Sequence, residues 1–319
     1  MRGSDSREQR PPVVVITGPT ASGKSGLAIE LAQRFAGEIV NADSLQVYRH
    51  LDIGSAKPDP VERARVPHHL FDRVSPKVDY SASRYQREAR GAAAAIHARG
   101  APVFLTGGTG LYIRAFLDGI LEGVEPDPVL RRTLETEHAV ALEAGDPMRL
   151  HRRLAERDAE AAAGIHPHDL RRLVRALELC ERSGRPASEL RAAHAFADRP
   201  YRVLHLALDP GREVLDRRID ARCRGMIEAG LLDEVRRLRE LGYGPELRPL
   251  QAIGYRHMHA VVDGADTLAN ALVSMQRDTR RFARRQRTWL RAVSEVIWMH
   301  PSDGEGLRKA TEAFLCART

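Results

Sequence analysis

Apolar positions along the chain follow two rhythms. Short, largely apolar runs at residues 13–17, 38–42, 102–106, 201–208 and 295–299 are too short for helices and predict buried strands. Between the first two, Leu27, Ile29, Leu31 and Ala32 recur at helical spacing and predict a helix over 25–35; a second helix is expected over 81–99. Strands alternating with helices give an α/β fold with a parallel sheet, whose ligands gather at the carboxyl ends of the strands.

From 126 to 197 the pattern changes. This stretch is rich in Ala, Leu, Arg and Glu, shows no strand-like run, and is bracketed by Pro126-Asp127-Pro128 and Asp198-Arg199-Pro200. It predicts an all-helical insertion domain in an α/β core made of 13–125 and 198–319, behind a flexible N-terminus of residues 1–12. Further on, 213–241 sets Leu215, Ile219, Met226, Ile227, Leu231, Val235 and Leu238 on one broad face of a long helix. Leu272, Met275, Phe282, Trp289 and Val293 form a second stripe. At this spacing Phe282 and Trp289 are expected in a core rather than on a base-stacking platform.

Composition narrows the class. At 319 residues and 43% hydrophobic, the chain is too long for a disulfide-stapled mini-protein and too apolar for general disorder. Cys180, Cys223 and Cys316 have no spacing of a zinc knuckle or redox pair, which predicts a reducing, cytoplasmic compartment. Residues 1–10 lack the apolar centre of a secretory signal, and no apolar run approaches the ~18 residues of a membrane span. With no self-complementary apolar surface legible, a soluble monomer without membrane contact is expected.

Charge adds a location. The formal net charge is +7, and the segment 271–292, with Arg277, Arg280, Arg281, Arg284, Arg285, Arg287 and Arg291 against Asp278, holds +6 of it. Such a face suits a polyanion such as nucleic acid. Only Lys24, Lys57, Lys77 and Lys309 are lysines, however, so a general preference for Arg explains the same residues without a partner; charge alone leaves both readings open.

The chemistry begins at Gly18-Pro19-Thr20-Ala21-Ser22-Gly23-Lys24-Ser25, which matches the P-loop pattern between a strand and a helix. Its glycines let N–H groups turn toward phosphate oxygens, the helix end and Lys24 add positive charge, and the Ser25 hydroxyl suits Mg²⁺. Such a loop signals phosphate or diphosphate in general. Asp43, after the second strand, is placed to reach a metal or a reacting proton, although Asp and Ser also favour helix N-caps. Gly107-Gly108-Thr109-Gly110 ends another strand, either as a tight turn or as a source of backbone donors and the Thr109 hydroxyl. His68 and His69 lack carboxylates or cysteines at metal-ligand spacing and read as structural, and His166 and His168 as capping or RNA-side residues.

Taken with NADSLQVY (41–48), DIGSAKP (52–58), VPHHLFD (66–72), YSASRYQREA (80–89), GGTGLY (107–112), IHPHDLRRLVRALE (165–178) and AIGYR (252–256), the chain closely resembles the bacterial tRNA dimethylallyltransferases from about residue 13 to 290. The resemblance implies a P-loop NTPase-like core with the helical insertion contacting tRNA. It implies transfer of a dimethylallyl group from dimethylallyl diphosphate to the exocyclic amine of the adenosine 3′-adjacent to the anticodon, in tRNAs reading codons that begin with U. Mg²⁺ would be the cofactor, at Ser25, and the anticodon stem-loop the partner surface. Thr20 to Ser25 would cradle the diphosphate, with Arg218 and Arg222 beside it. Asp43 would be the general base, Thr20 a further catalytic residue, and Ser44, Leu45 and Gln46 would hold the adenine. Thr109, Arg171, Arg172, Leu173, Val174, Arg175, Gln251, Gly254, Tyr255 and Arg256 would contact tRNA.

Two positions depart from the family: Gln is usual in place of Arg171, and Arg in place of Gln251. Two other classes compete. An ATP-dependent small-molecule kinase fits the P-loop but shows no second nucleotide motif and leaves the insertion idle. A non-catalytic RNA-binding protein fits the charge but leaves Asp43 beside a P-loop unexplained.

Overall fold

In the computed structural model, which describes residues 10–120, 126–194 and 198–317, β1 (Pro12–Thr17) is the centre of the sheet and is buried from Val13 onward. Its neighbours are β4 (Val103–Thr106) and β5 (Arg202–Leu208), in registers Val13↔Val103 and Val13↔Val203. β2 (Glu38–Asn41) pairs with the far side of β4, β3 (His68–His69) with β2, and β6 (Val296–Met299) with β5. All pairs are parallel and the order is β3-β2-β4-β1-β5-β6. The five runs read as strands are strands, each within a residue or so of its expected ends.

The chain divides into two compact units, Met1–Leu117 with Arg199–Thr319, and Asp118–Asp198. Most of the N-terminal stretch expected to be flexible lies outside the described residues, as do the expected boundaries at 125 and 197.

In the first unit, alternate strand residues feed opposite cores, as two-residue side-chain alternation requires. Val14 and Ile16 meet Ala28, Ile29, Leu31 and Ala32 of α1 (Lys24–Arg34). Val13 and Val15 share the other core with Tyr85, Ala89, Ala93 and Ile96 of α3 (Ala82–Ala98), which follows the short α2 (Pro60–Arg65). That core continues through Ile113 and Phe116 of α4 (Gly110–Asp118).

Among the described residues, the second unit contains five helices: α5 (Pro128–Glu143), α6 (Arg149–Arg157), α7 (Ala159–Ala163), α8 (Leu170–Ser183) and α9 (Ala187–His194). They close around Leu134, Leu150, Leu154, Leu173 and Leu177. Glu178, buried on α8, accepts from the Asp127 N–H and pairs with Arg131 and Arg175.

The chain then returns to the first unit through α10 (Arg212–Glu228), α11 (Leu231–Glu240), a 3-10 turn (Arg248–Gln251), α12 (Tyr255–Val262), α13 (Leu268–Arg291) and, after β6, α14 (Gly304–Cys316). Two expectations are corrected here. The single helix expected over 213–241 is broken where Gly230, at φ 94°, caps α11 in the left-handed region, because the two apolar stripes turn to different neighbours. β3 was not expected: two residues carry no readable alternation, and pairing to β2 alone defines it.

Parallel order has one positional consequence. β4 lies between β1 and β2, so the loops after β2, β4 and β1 stand in that order at the carboxyl edge of the sheet.

A buried acid organises the wall opposite. Glu234 of α11 accepts from the N–H groups of Asp52 (3.2 Å), Ile53 (2.8 Å) and Gly54 (3.3 Å) and from the Tyr255 hydroxyl (2.7 Å). The carbonyls of Ser55 and Ala56, on the loop so held, take the side-chain amide of Gln46. Replacing Glu234 by Ala strands these buried donors and should lower the unfolding free energy by about 3 kcal/mol in urea titrations, with Glu234→Gln losing less.

Candidate active site

The P-loop is shaped by its backbone. Gly23, at φ 95°, caps α1 without a side-chain bond, and the first turn of α1 carries no acid. The positive end of the helix therefore has no compensating carboxylate of its own. Lys24 donates to the Pro19 carbonyl at 3.4 Å, and Arg218 of α10 reaches the Ser22 carbonyl at 3.4 Å. Burial lowers the Lys24 pKa to about 8; Arg222 nearby adds to the fall and Asp43 opposes it. Burial likewise lowers the Arg222 pKa against the pull of Asp43.

Asp43 makes a local capping contact of the kind its residue type favours. Asn41 accepts from its N–H at 3.0 Å, and its own Oδ1 accepts from Leu45 N–H at 2.8 Å, capping the turn of residues 44–47. Oδ2 is left for other work. The turn rests on the loop after β4: Thr109 N–H donates to Ala42 O at 3.1 Å, and Ser44 N–H donates to Thr109 Oγ1 at 2.9 Å. Gly107 makes this approach possible, since a Cβ there would lie 2.2 Å from the Ala42 carbonyl oxygen. Thr109, expected at a ligand, spends its hydroxyl in this structure on Ser44.

A cavity of about 350 Å³ opens between the loops. One wall is polar, with Thr20, Lys24, Ser25, Asp43 and Arg222; another is apolar, with Ile29, Phe71, Met226, Ile253 and Met275. Such a space can bind an anion at the loop, shelter an apolar group beside it, and offer a carboxylate to a proton donor.

Other expected residues are distributed unevenly. Ser44, Leu45, Gln46 and Arg256 line the same cavity. Gln46 donates both its amide bonds to carbonyls, which leaves its oxygen as an acceptor. Gln251 is exposed. Gly254 and Tyr255 are buried, so Tyr255 serves the fold through Glu234. In the second unit Arg171 and Arg172 are exposed, whereas Leu173 and Val174 are core and Arg175 is bound to Glu178.

Phe282 is corrected outright: it is 37% exposed and lines the cavity, while Trp289 is half-buried against Gly110. His69 bonds Glu38 at 2.6 Å and His68 the Val66 carbonyl at 2.7 Å, both at the sheet edge. His166 accepts from the His168 N–H in a local turn.

The arginine cluster is sorted. Arg280 pairs with Asp220 and Arg287 with Asp209, while Arg277 and Arg281 share Asp278. Arg284, Arg285 and Arg291 are exposed and have no carboxylate partner among the described residues.

One residue at the site lies outside the sequence motifs. Gln286, buried on α13, accepts from the Thr20 N–H at 2.8 Å and donates to the Gly108 carbonyl at 3.0 Å. The signal lay in periodicity: Gln286 falls in step with Met275, Thr279, Ala283 and Leu290 on the buried stripe, where an amide needs a reason.

Comparison with known proteins adds the following. A family model described as IPP transferase matches residues 46–293, and one described as isopentenyl transferase matches 11–74. A tRNA dimethylallyltransferase of Geobacter metallireducens is 49% identical over 92% of this chain and 93% of its own. One from Myxococcus xanthus is 49% identical over 92% of this chain and 94% of its own. The crystal structure of a tRNA isopentenylpyrophosphate transferase from Bacillus halodurans aligns with TM-score 0.70 at 34% identity, covering 96% of this chain and 97% of that one. The six-stranded parallel sheet is P-loop NTPase-like, as expected.

The low pKa of Lys24 sets a pH dependence. Below about pH 8 it is a cation, and above it becomes neutral. Inorganic diphosphate should therefore lose affinity by up to ~tenfold per pH unit above that point. Calorimetric titration against pH checks this, with Lys24→Met lacking the limb while sharing the ligand's own titration.

Proposed function

The chain belongs to the IPP transferase family, and we propose that it transfers the dimethylallyl group of dimethylallyl diphosphate to the exocyclic amine of the adenosine 3′-adjacent to the anticodon, in tRNAs reading codons that begin with U. The products are isopentenyladenosine and diphosphate. The observation that carries the reading is a single cavity whose walls include Lys24 of the P-loop, Arg222 of α10 and the Asp43 carboxylate.

Each residue then has a task. Loop 18–25 cradles the diphosphate, with Thr20 at its rim and Arg218 and Arg222 facing it from α10. The adenine amine is a poor nucleophile, because its lone pair is delocalised into the ring. Asp43 Oδ2 takes its proton as the C–N bond forms. The electron pair of the breaking C–O bond leaves on the diphosphate, whose growing charge meets N–H groups, Lys24 and the two arginines. Gln46, locked as an acceptor, recognises the base with Ser44 and Leu45. A base on a stem-loop reaches this depth by leaving its stack.

The residues fit Mg²⁺: Ser25 faces the cavity, and its hydroxyl takes no protein hydrogen bond among the described residues. Ser25 and donor phosphate oxygens would hold the ion, which would neutralise leaving-group charge. On the RNA side, Thr109, Gln251 and Arg256 contact the nucleic acid, Arg171 and Arg172 contribute from the helical unit, and Arg284, Arg285 and Arg291 bind phosphates. The protein acts as a cytoplasmic monomer in this reading. No helix among the described residues is long and apolar enough to cross a membrane.

Incubation with unmodified tRNA, Mg²⁺ and dimethylallyl diphosphate should yield prenylated adenosine by mass spectrometry; ATP turnover on a metabolite without prenylation would overturn the reading. Asp43→Ala should lower kcat at least ~100-fold with tRNA affinity within a few-fold. Activity retained within a few-fold would remove Asp43 as the base.

The sorted arginines separate two effects. Replacing Arg284, Arg285 and Arg291 together should weaken tRNA binding and flatten its salt dependence by up to about 0.9 log unit per log unit of salt for each phosphate no longer neutralised. Arg280→Ala and Arg287→Ala should act first on the melting temperature. Unchanged tRNA affinity in the triple variant would mark those three as a solvated face.

A further inference from the structure

The cavity is formed by two halves that need a fixed separation. On one side stands loop 18–25. On the other, the Asp43 turn is bonded to the loop after β4 through Ala42, Ser44 and Thr109. Among the described residues, no direct hydrogen bond joins loop 18–25 to loop 107–110; the carboxamide of Gln286 supplies the connection.

We propose that Gln286 is a positioning residue: it holds the donor loop and the general-base loop at working distance, from a helix whose outer face meets the RNA. The inference rests on the reading above for what the two loops do.

Three features support it. The amide cannot flip, because Thr20 N–H only donates and Gly108 C=O only accepts. Gln286 is 7% exposed although it borders the cavity, so bulk water competes little for either bond. The helix that carries it is itself moored: Arg280 pairs with Asp220 of α10, and Arg287 with Asp209 at 2.7 Å. Because α10 also carries Arg218 and Arg222, α13 registers the diphosphate arginines, the P-loop and the Asp43 side in one frame. Arg284 and Arg285, two residues and one residue before Gln286, are exposed, Arg285 at the rim of the cavity over the Phe282 ring. An RNA phosphate on that face therefore lies within a turn of the joint.

Reaction rates depend steeply on such spacing, and a displacement near 1 Å costs on the order of 100-fold. Gln286→Met keeps the length and removes both bonds. Its kcat for prenyl transfer should fall ~10–100-fold, with donor KM within about threefold and tRNA affinity within about twofold. Gln286→Glu, which keeps the acceptor for Thr20 and loses the bond to Gly108, should move in the same direction and serves if the Met variant melts early. In a kinetic double-mutant cycle with Thr109→Val, the two losses should be non-multiplicative, since both act through residues 107–109. Amide hydrogen exchange gives an activity-independent reading: loops 18–23 and 107–110 should exchange faster in Gln286→Met while β1 and β5 stay protected.

Unchanged kcat in a folded variant, equal falls in kcat and tRNA affinity, strictly multiplicative losses, or unaltered exchange in both loops would each overturn the proposal. Wild-type protein that transfers no prenyl group would fail the functional reading instead, and the exchange experiment would still decide the role of Gln286.

Discussion

The site depends on the closeness of one backbone to another at Gly107. Strand order puts β4 between β1 and β2, so the loop carrying the anion site and the loop carrying Asp43 never neighbour each other directly. The loop after β4 must fill the gap, and a side chain at Gly107 would collide with Ala42. Without that approach, Thr109 could not hold Ser44, nor could the Asp43 turn keep its place. A glycine-rich turn and a source of functional groups, two alternatives for residues 107–110, turn out to be one device. Its chemistry is to position another loop.

Electrostatics gives the same cavity its preference. Lys24, Arg218 and Arg222 converge near the P-loop against a single carboxylate, Asp43. Burial lowers the pKa values of both Lys24 and Arg222, and for Lys24 the neighbouring Arg222 adds to the fall. An anion in the cavity offsets the cost of burying these cations and the repulsion on Lys24, and so favours the charged lysine. The free protein is thus built to be completed by a multiply charged ligand, in keeping with a diphosphate donor.

How much of this could be read from the residues depends on what holds each piece in place. Buried parallel strands carry their signal in continuous apolar runs, and the P-loop carries its own in a spacing that backbone geometry dictates; both were legible. β3 exists because β2 pairs with it, so two residues could not announce it. Motifs carried over from a family mix residues that touch ligand with residues that shape the fold. Tyr255, Leu173 and Val174 belong to the second kind, being buried where Arg256 and Arg172 beside them are exposed. Phe282 misled in the opposite way, because the edge of a helical stripe is as suited to a cavity wall as to a core.

The arginine-rich helix shows why total charge is a poor guide and sorted charge a good one. Of its seven arginines, Arg280 and Arg287 are tied to acids of neighbouring segments, Asp220 and Asp209, and so fasten the helix to the domain. Arg284, Arg285 and Arg291 are exposed, and Arg285 also borders the cavity. A helix held on one side and cationic on the other is a rigid electrostatic surface, and rigidity matters because phosphate contacts position a substrate rather than specify it. Gln286 sits where the two functions meet, in the packed face and one residue from Arg285. An alanine or leucine there would satisfy the core equally well. That an amide occupies the position, with each end matched to a main-chain group of a different loop, is the mark of a helix that does more than bind.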